Sequence, residues 1–200
     1  MPRPKGSSSL ISARQKAITP EEFLLIQIAC GRVTDDQAIN SKWALYFRLM
    51  WETGIRPSEA LSLKAENVKE TFIEIRRLKK KGRPVDQIAI QAHMQLELKQ
   101  YISRNRLRPG SKLFPQGIMG ARYIFEKIKK IAKLRSELTL HSFRHGFAMN
   151  FLRQSDRSRP AAEQLTLLQR ALGHANISAT STYIKADEAD VRNQIERMKF

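Results

Sequence analysis

Three short stretches hold side chains whose types and spacing could do chemistry. His141-Ser142-Phe143-Arg144 sets an imidazole and a guanidinium three residues apart. On a helix that is one face, and near a helix start the free backbone N–H groups add to the attraction for an anion. A phosphate fits there, although His-x-x-Arg also arises by chance and a plain surface role fits the pair taken alone. His145 is expected to point elsewhere, as a structural residue. Leu172-Gly173-His174 is followed by Thr180 and Tyr183, which puts a histidine nine residues ahead of a tyrosine. With a free pKa near 10, a tyrosine attacks phosphorus only when cations or a base activate it. Equally, Tyr183 could be an amphipathic surface ring and His174 a helix C-terminal cap. In Thr53-Gly54-Ile55-Arg56-Pro57-Ser58-Glu59, Pro57 biases Arg56 towards an extended backbone and Glu59 follows one turn later on the same side. An arginine held by a carboxylate can offer a phosphate two donors in a set orientation, whereas an exposed Arg–Glu pair contributes little.

The elements that must position these residues are mostly helical. Thr19-Pro20-Glu21-Glu22 is a capping box with proline at the first helical position, and it predicts a helix from Pro20 to Cys30 stopped by Gly31. A second helix, Asp35 to Thr53, carries Ile39, Trp43, Tyr46, Phe47, Met50 and Trp51 at three- and four-residue steps and ends at Gly54. Without basic residues between them, these rings read as a buried face, not a platform for bases. Pro57 to Leu63 follows as a third helix. The period then becomes alternating, giving strands Phe72 to Leu78 and Val85 to Ile90 around a hairpin tipped by Lys79, Lys80 and Lys81. Further helices are expected at Ala92 to Arg104, Ala121 to Leu134, Ser142 to Gln154, Ala161 to Leu172 and Asp187 to Met198. The fold class is therefore mainly α with a small antiparallel β-sheet.

Composition narrows the partners. Two hundred residues make one domain, or one domain with a tail. Lysine and arginine exceed aspartate and glutamate by 36 to 19, a net +17 on a chain that is 42% hydrophobic and so too apolar for a disordered polycation. That excess repels itself unless a polyanion neutralises it, and nucleic acid leads over an acidic membrane surface. One cysteine, Cys30, excludes an internal disulfide and a thiolate zinc cage and points to a reducing compartment, the cytoplasm. No apolar run reaches the 18 or so residues of a spanning helix, and Met1 to Lys16 lacks the apolar core of a signal peptide. Residues 1–18, with Arg3, Lys5, Arg14 and Lys16 around Gly6-Ser7-Ser8-Ser9, read as a basic arm able to touch phosphates, or as an expression remnant. The segment Gln154 to Ala161, with Arg157 and Arg159, is a charged linker that could add phosphate contacts.

Taken in chain order, Gly-Ile-Arg-Pro-Ser-Glu, a lysine hairpin, His-Ser-Phe-Arg-His-Gly, Leu-Gly-His and a tyrosine nine residues on, the sequence resembles the catalytic domain of the tyrosine recombinases, the phage integrase family, over about residues 19–190. The resemblance implies the integrase catalytic-domain fold over residues 19–200, of the short single-domain type or as a catalytic fragment, without the separate helical clamp domain that usually precedes it. It implies that Arg56, Lys80, His141, Arg144, His174 and Tyr183 gather around one phosphate of double-stranded DNA, with Lys79 or Lys81 as alternatives to Lys80. In those roles Arg56 and Arg144 clamp the non-bridging oxygens, His174 adds a hydrogen bond and His141 helps move the tyrosine proton. Lys80 protonates the leaving 5′ oxygen, and Tyr183 forms a 3′-phosphotyrosyl link. Because that link keeps the phosphodiester energy, neither a nucleotide cofactor nor a metal is expected, and the chain has no Walker-type loop and no clustered carboxylates around these motifs. The implied activity is site-specific recombination: integration, excision, inversion or resolution. The implied partners are DNA and further copies of the chain in a tetrameric synapse, at the nucleoid and away from membranes, with Val191, Ile195 and Met198 on a final helix that docks on a neighbour or packs on its own subunit. Two other functions are compatible with parts of the pattern: a type IB topoisomerase-like nicking-closing enzyme, and a DNA-binding protein that has lost catalysis.

Overall fold

A computed structural model describes residues 16–75, 85–155 and 158–173. Lys80 with its neighbours Lys79 and Lys81, His174, Tyr183, the final helix and the arm up to residue 15 lie outside the described residues. Those described form helices α1 (Pro20–Cys30), α2 (Gln37–Thr53), α3 (Pro57–Ser62), α4 (Ala92–Arg104), α5 (Ile118–Ile131), α6 (Ser142–Gln154) and α7 (Ala161–Leu172), with strands β1 (Phe72–Ile75) and β2 (Asp86–Ala89). The expected class is the one found.

Local chemistry sets most of the boundaries. Glu22 donates its backbone N–H to the Thr19 hydroxyl at 3.2 Å, and the Glu22 carboxylate accepts the Thr19 N–H at 2.9 Å, so the capping box that starts α1 is real. The Asp36 carboxylate accepts from the N–H groups of Ala38 and Ile39 at 2.7 and 3.2 Å and starts α2. The strands pair antiparallel with Phe72 opposite Ala89 and Ile75 opposite Asp86, which puts Ile73 and Ile88 together on the buried side. Helix α5 begins at Ile118, three residues ahead of the expected Ala121, because Gly117 takes the cap and Gly120 is absorbed in the first turn. At its other end Lys133 adopts a left-handed φ of 50°, and the Leu134 N–H reaches back to the Lys129 carbonyl at 2.9 Å.

The aromatic stripe of α2 is the core, as its spacing predicts. Phe47 stacks on Phe143 of α6 with centroids 5.2 Å apart and also meets Trp43, Tyr46 and Phe125. The Tyr46 hydroxyl donates to the Pro57 carbonyl at 3.2 Å and ties α2 to the turn that carries Arg56. An ion pair, Arg48–Glu97 at 2.9 Å, and a hydrogen bond between Glu52 and His93 at 2.8 Å join α2 to α4. Cys30 is buried, and burial pushes its thiol up to about 12, which suits a structural residue. No helix among the described residues is long and apolar enough to cross a membrane.

Two glycines allow α6 and α7 to close on α2. A Cβ on Gly146 would lie 2.5 Å from the Trp51 ring and 2.7 Å from the Ile18 carbonyl oxygen, so α6 passes α2 at a distance no side chain permits. Gly54 ends α2 with φ +63°, and a Cβ there would meet Phe147 at 2.5 Å and Leu172 at 2.9 Å. Backbone conformation and space both demand glycine. Gly54→Ala is expected to cost about 2–4 kcal/mol, from positive φ plus overpacking, measured by urea unfolding; a loss below about 1 kcal/mol would contradict the close packing.

Candidate functional site

The Arg56 turn is built by a buried carboxylate. Glu59, 2% exposed, accepts the Arg56 backbone N–H at 3.1 Å through Oε2 and the Arg56 Nη1 at 2.8 Å through Oε1. Of the two readings open for Arg-x-x-Glu, the exposed pair is therefore not the one found. The carboxylate is inside, while the guanidinium, 31% exposed, keeps access to solvent. Pro57 holds Arg56 extended, with φ −68° and ψ 146°.

Arg144 is deeper, at 6% exposure. Its Nη1 donates to the Gly54 carbonyl and its Nη2 to the Leu172 carbonyl, both at 2.7 Å. Both acceptors lie at helix C-terminal ends, of α2 and α7, where left-handed glycines (Gly54 and Gly173) turn the chain away and the macrodipole is negative. One side chain thus joins the Gly-Ile-Arg motif, the His-x-x-Arg motif and the Leu-Gly segment. Gly54 is two residues before Arg56, so the contact seats Arg144 against the turn that carries Arg56.

His141 stands at the α6 N-terminus, on the exposed rim. The turn before it is fixed by the Thr139 N–H donating to Ser142 Oγ at 3.0 Å and by the Ser142 N–H donating to the Thr139 carbonyl at 2.9 Å. Further back, the buried Lys129 ammonium donates to the carbonyls of Ser136 and Leu138 at 2.9 and 3.1 Å and pairs with Glu126 at 2.8 Å, anchoring the loop that delivers His141. Partial desolvation, then the cations Arg144, Arg56 and Arg122, hold the His141 imidazole below its ordinary value, with Glu59 opposing. That shift favours the neutral imidazole, the form able to accept a proton. Arg56, His141 and Arg144 are therefore electrostatic neighbours.

Two residues were not foreseen. Arg122, on the first turns of α5, shares with His141, Thr139, Pro57 and Ser58 a cleft of about 650 Å³. It lies 19 residues ahead of His141 in sequence, and no motif or spacing marks it. His145 does not point elsewhere. It sits one turn after His141 on the same side of α6, half-buried, and the charges of His141, Lys16 and Arg144 act on it. Desolvation, followed by those charges, lowers it to about 4. A four-residue step on a helix would have placed it there.

The sequence matches the family model described as the phage integrase family over residues 16–190. The chain belongs to the phage integrase family. Among curated relatives, the tyrosine recombinase XerC of Rhizobium meliloti (strain 1021) is 27% identical over 198 residues, covering 92% of this chain and 59% of its own length. This integrase-family chain thus spans little more than half of that relative. Among solved structures, the XerH site-specific recombinase bound to palindromic difH substrate in a post-cleavage complex superposes with a TM-score of 0.70 at 22% identity, over 91% of this chain and 53% of that one. The catalytic domain of bacteriophage HP1 integrase gives 0.61 at 18% identity, over 90% of this chain and 94% of that one. At these identities the likeness is one of fold, and it identifies the fold as that of an integrase catalytic domain.

The electrostatics give two expected outcomes. In Arg122→Gln, removal of one cation should move the His141 midpoint upward in an NMR titration of the imidazole protons; an unmoved midpoint would separate Arg122 from the site. For His145 the folded value near 4 lies below the unfolded value near 6.5, so the unfolded state binds the extra proton between them. Stability from this group is complete above about pH 6.5 and lost as pH falls towards 4. Between pH 7 and pH 5 the wild type should lose about 2 kcal/mol more than His145→Gln by chemical denaturation.

Proposed function

We propose that this protein is a site-specific DNA recombinase that breaks and rejoins strands through a 3′-phosphotyrosyl intermediate. The observation that carries the proposal is the convergence of Arg56, Arg144 and His141 through Glu59, the Gly54 carbonyl and the α6 N-terminus. Two guanidiniums that never deprotonate offer a phosphodiester the charge it lacks in the transition state, and they do so without a metal. A neutral His141 beside them can take the phenolic proton. The relatives named as tyrosine recombinases support the assignment of chemistry.

In this proposal Tyr183 attacks phosphorus. Its O–P bond forms as the bond to the 5′ oxygen breaks, the phenolic proton passes towards His141, and Lys80 gives its proton to the departing 5′ oxygen. His174 donates to a non-bridging oxygen. Religation reverses these steps with the 5′ hydroxyl of a second strand. Four copies of the chain on two duplexes form the synapse in which strands change partners, and the excess of 17 positive charges favours that association with DNA. The compartment that holds this substrate is the nucleoid.

The test is covalent capture. Nicked duplexes tiled across the DNA flanking the gene are incubated with the protein, denatured, and searched for a protein–DNA adduct whose peptide maps to Tyr183. The wild type should give the adduct at a defined sequence, and Tyr183→Phe should give none. An adduct surviving in Tyr183→Phe would remove this tyrosine as the nucleophile, and relaxation of any supercoiled plasmid without recombinants would indicate a topoisomerase.

A further inference from the structure

Helix α1 is apolar on nearly every side. Ile26, Ala29 and Cys30 are buried, yet Leu24, Leu25 and Ile28 remain 62, 45 and 52% exposed. A helix on the outside of a domain ordinarily turns polar residues to water. Here the outward ridge, stepping by three and four residues, reads Glu21, Leu24, Leu25 and Ile28, with Arg32 following in the turn past the Gly31 cap, all exposed. None of these residues takes part in the phosphate site, and the proposed chemistry does not use them.

The ridge is ordered acid, three apolar residues, base, and on reversal Glu21 exchanges with Arg32 and Leu25 with Ile28. We propose that it seats a second copy of the chain, two α1 helices packing antiparallel about a two-fold axis between Leu25 and Ile28. Each Leu25 then lies against the partner's Ile28, and each Glu21 faces the partner's Arg32. Leu24 widens the apolar contact beside the axis. Glu21 lies in the first turn of α1 and Arg32 in the turn just past its Gly31 cap, and their spacing is the same in both copies, which is what an isologous contact requires. Charge selects the second copy over an unrelated occupant. An apolar ligand alone has no use for a carboxylate at one end and a guanidinium at the other, whereas the ridge itself meets both. One helix pair falls short of the roughly 1,000 Å² of a stable complex, and +17 on each copy opposes the approach. The dimer is therefore weak, with dissociation in the micromolar range, and it forms where salt or a polyanion screens the repulsion.

Sedimentation equilibrium of the full chain at 0.3 M salt tests the proposal. The wild type should dimerise reversibly, Leu25→Glu should weaken the dimer at least tenfold, and Glu21→Arg or Arg32→Glu alone should weaken it several-fold. The double variant Glu21→Arg with Arg32→Glu should recover most of the loss, a result that misfolding cannot imitate; circular dichroism checks each variant. A wild type monomeric to 0.2 mM overturns the proposal, as does a dimer indifferent to these changes. A dimer that appears only after removal of residues 1–15 would assign the ridge to the protein's own arm, with Leu10 and Ile11, and would overturn it too.

Discussion

The buried Arg144 guanidinium organises this domain. The Arg144 guanidinium spans the carbonyl of Gly54, at the end of α2, and that of Leu172, at the end of α7. A buried guanidinium loses hydration worth several kcal/mol and must recover it from well-directed acceptors. Two short charge-assisted hydrogen bonds to the negative ends of two helices provide much of that recovery. The contact to Gly54 also fixes where the chain goes next, since Gly54 leads within two residues to Arg56. The residue proposed to clamp the phosphate is thus also the residue that holds its surroundings together. Its removal would expose two carbonyls without their donor and let two helix ends drift.

The rest of the site is a balance of signs. Glu59 is buried and gives its two oxygens to Arg56, so one cation is matched by one carboxylate. Arg144 is matched by dipoles, and Arg122 acts across the same cleft. Desolvation first, and then the net positive field of these cations, keep the His141 imidazole below its ordinary value. A bound phosphate would reverse part of that field, raising the affinity of His141 for a proton when a proton has to be taken. A resident carboxylate beside His141 would raise it in the free protein as well and blunt the change. That the nearest carboxylate is already committed to Arg56 keeps the response available to the substrate.

What the sequence revealed followed from how local each interaction is. The helices α1, α4, α6 and α7 begin and end where caps, periodicity and glycines predicted, because those signals involve neighbours three or four residues apart. Arg56 with Glu59, and His141 with Arg144, belong to the same class. Helix α5 starts three residues ahead of the expected Ala121, because Gly117 takes the cap and Gly120 stays inside the first turn. His145, expected to point elsewhere, lies one helical turn after His141 and feels its charge, a step that periodicity alone could have supplied. Arg122 and Lys129 were beyond reach for a different reason. Their partners, His141 and the carbonyls of Ser136 and Leu138, meet them through loop geometry that no short pattern encodes. The outward ridge of α1 was hidden in another way, since an apolar helix with a sound cap gives no sign of which side the domain will cover.

The aromatic core explains why His141 and Arg144 serve one site from different depths. Phe143 lies between them and inserts against Phe47 and Phe125, which sets the rotation of α6 about its axis. With that ring inside, Arg144 turns towards α2 and α7, and His141 is left at the helix entrance facing solvent. A buried guanidinium can hold charge against a phosphate but cannot exchange protons with water. An exposed imidazole beside it can exchange protons but lacks a rigid seat. One large apolar residue at the position between them assigns each group the environment its chemistry needs. Gly146 completes the arrangement, because only a residue without a side chain lets α6 approach Trp51 closely enough to keep that ring in place.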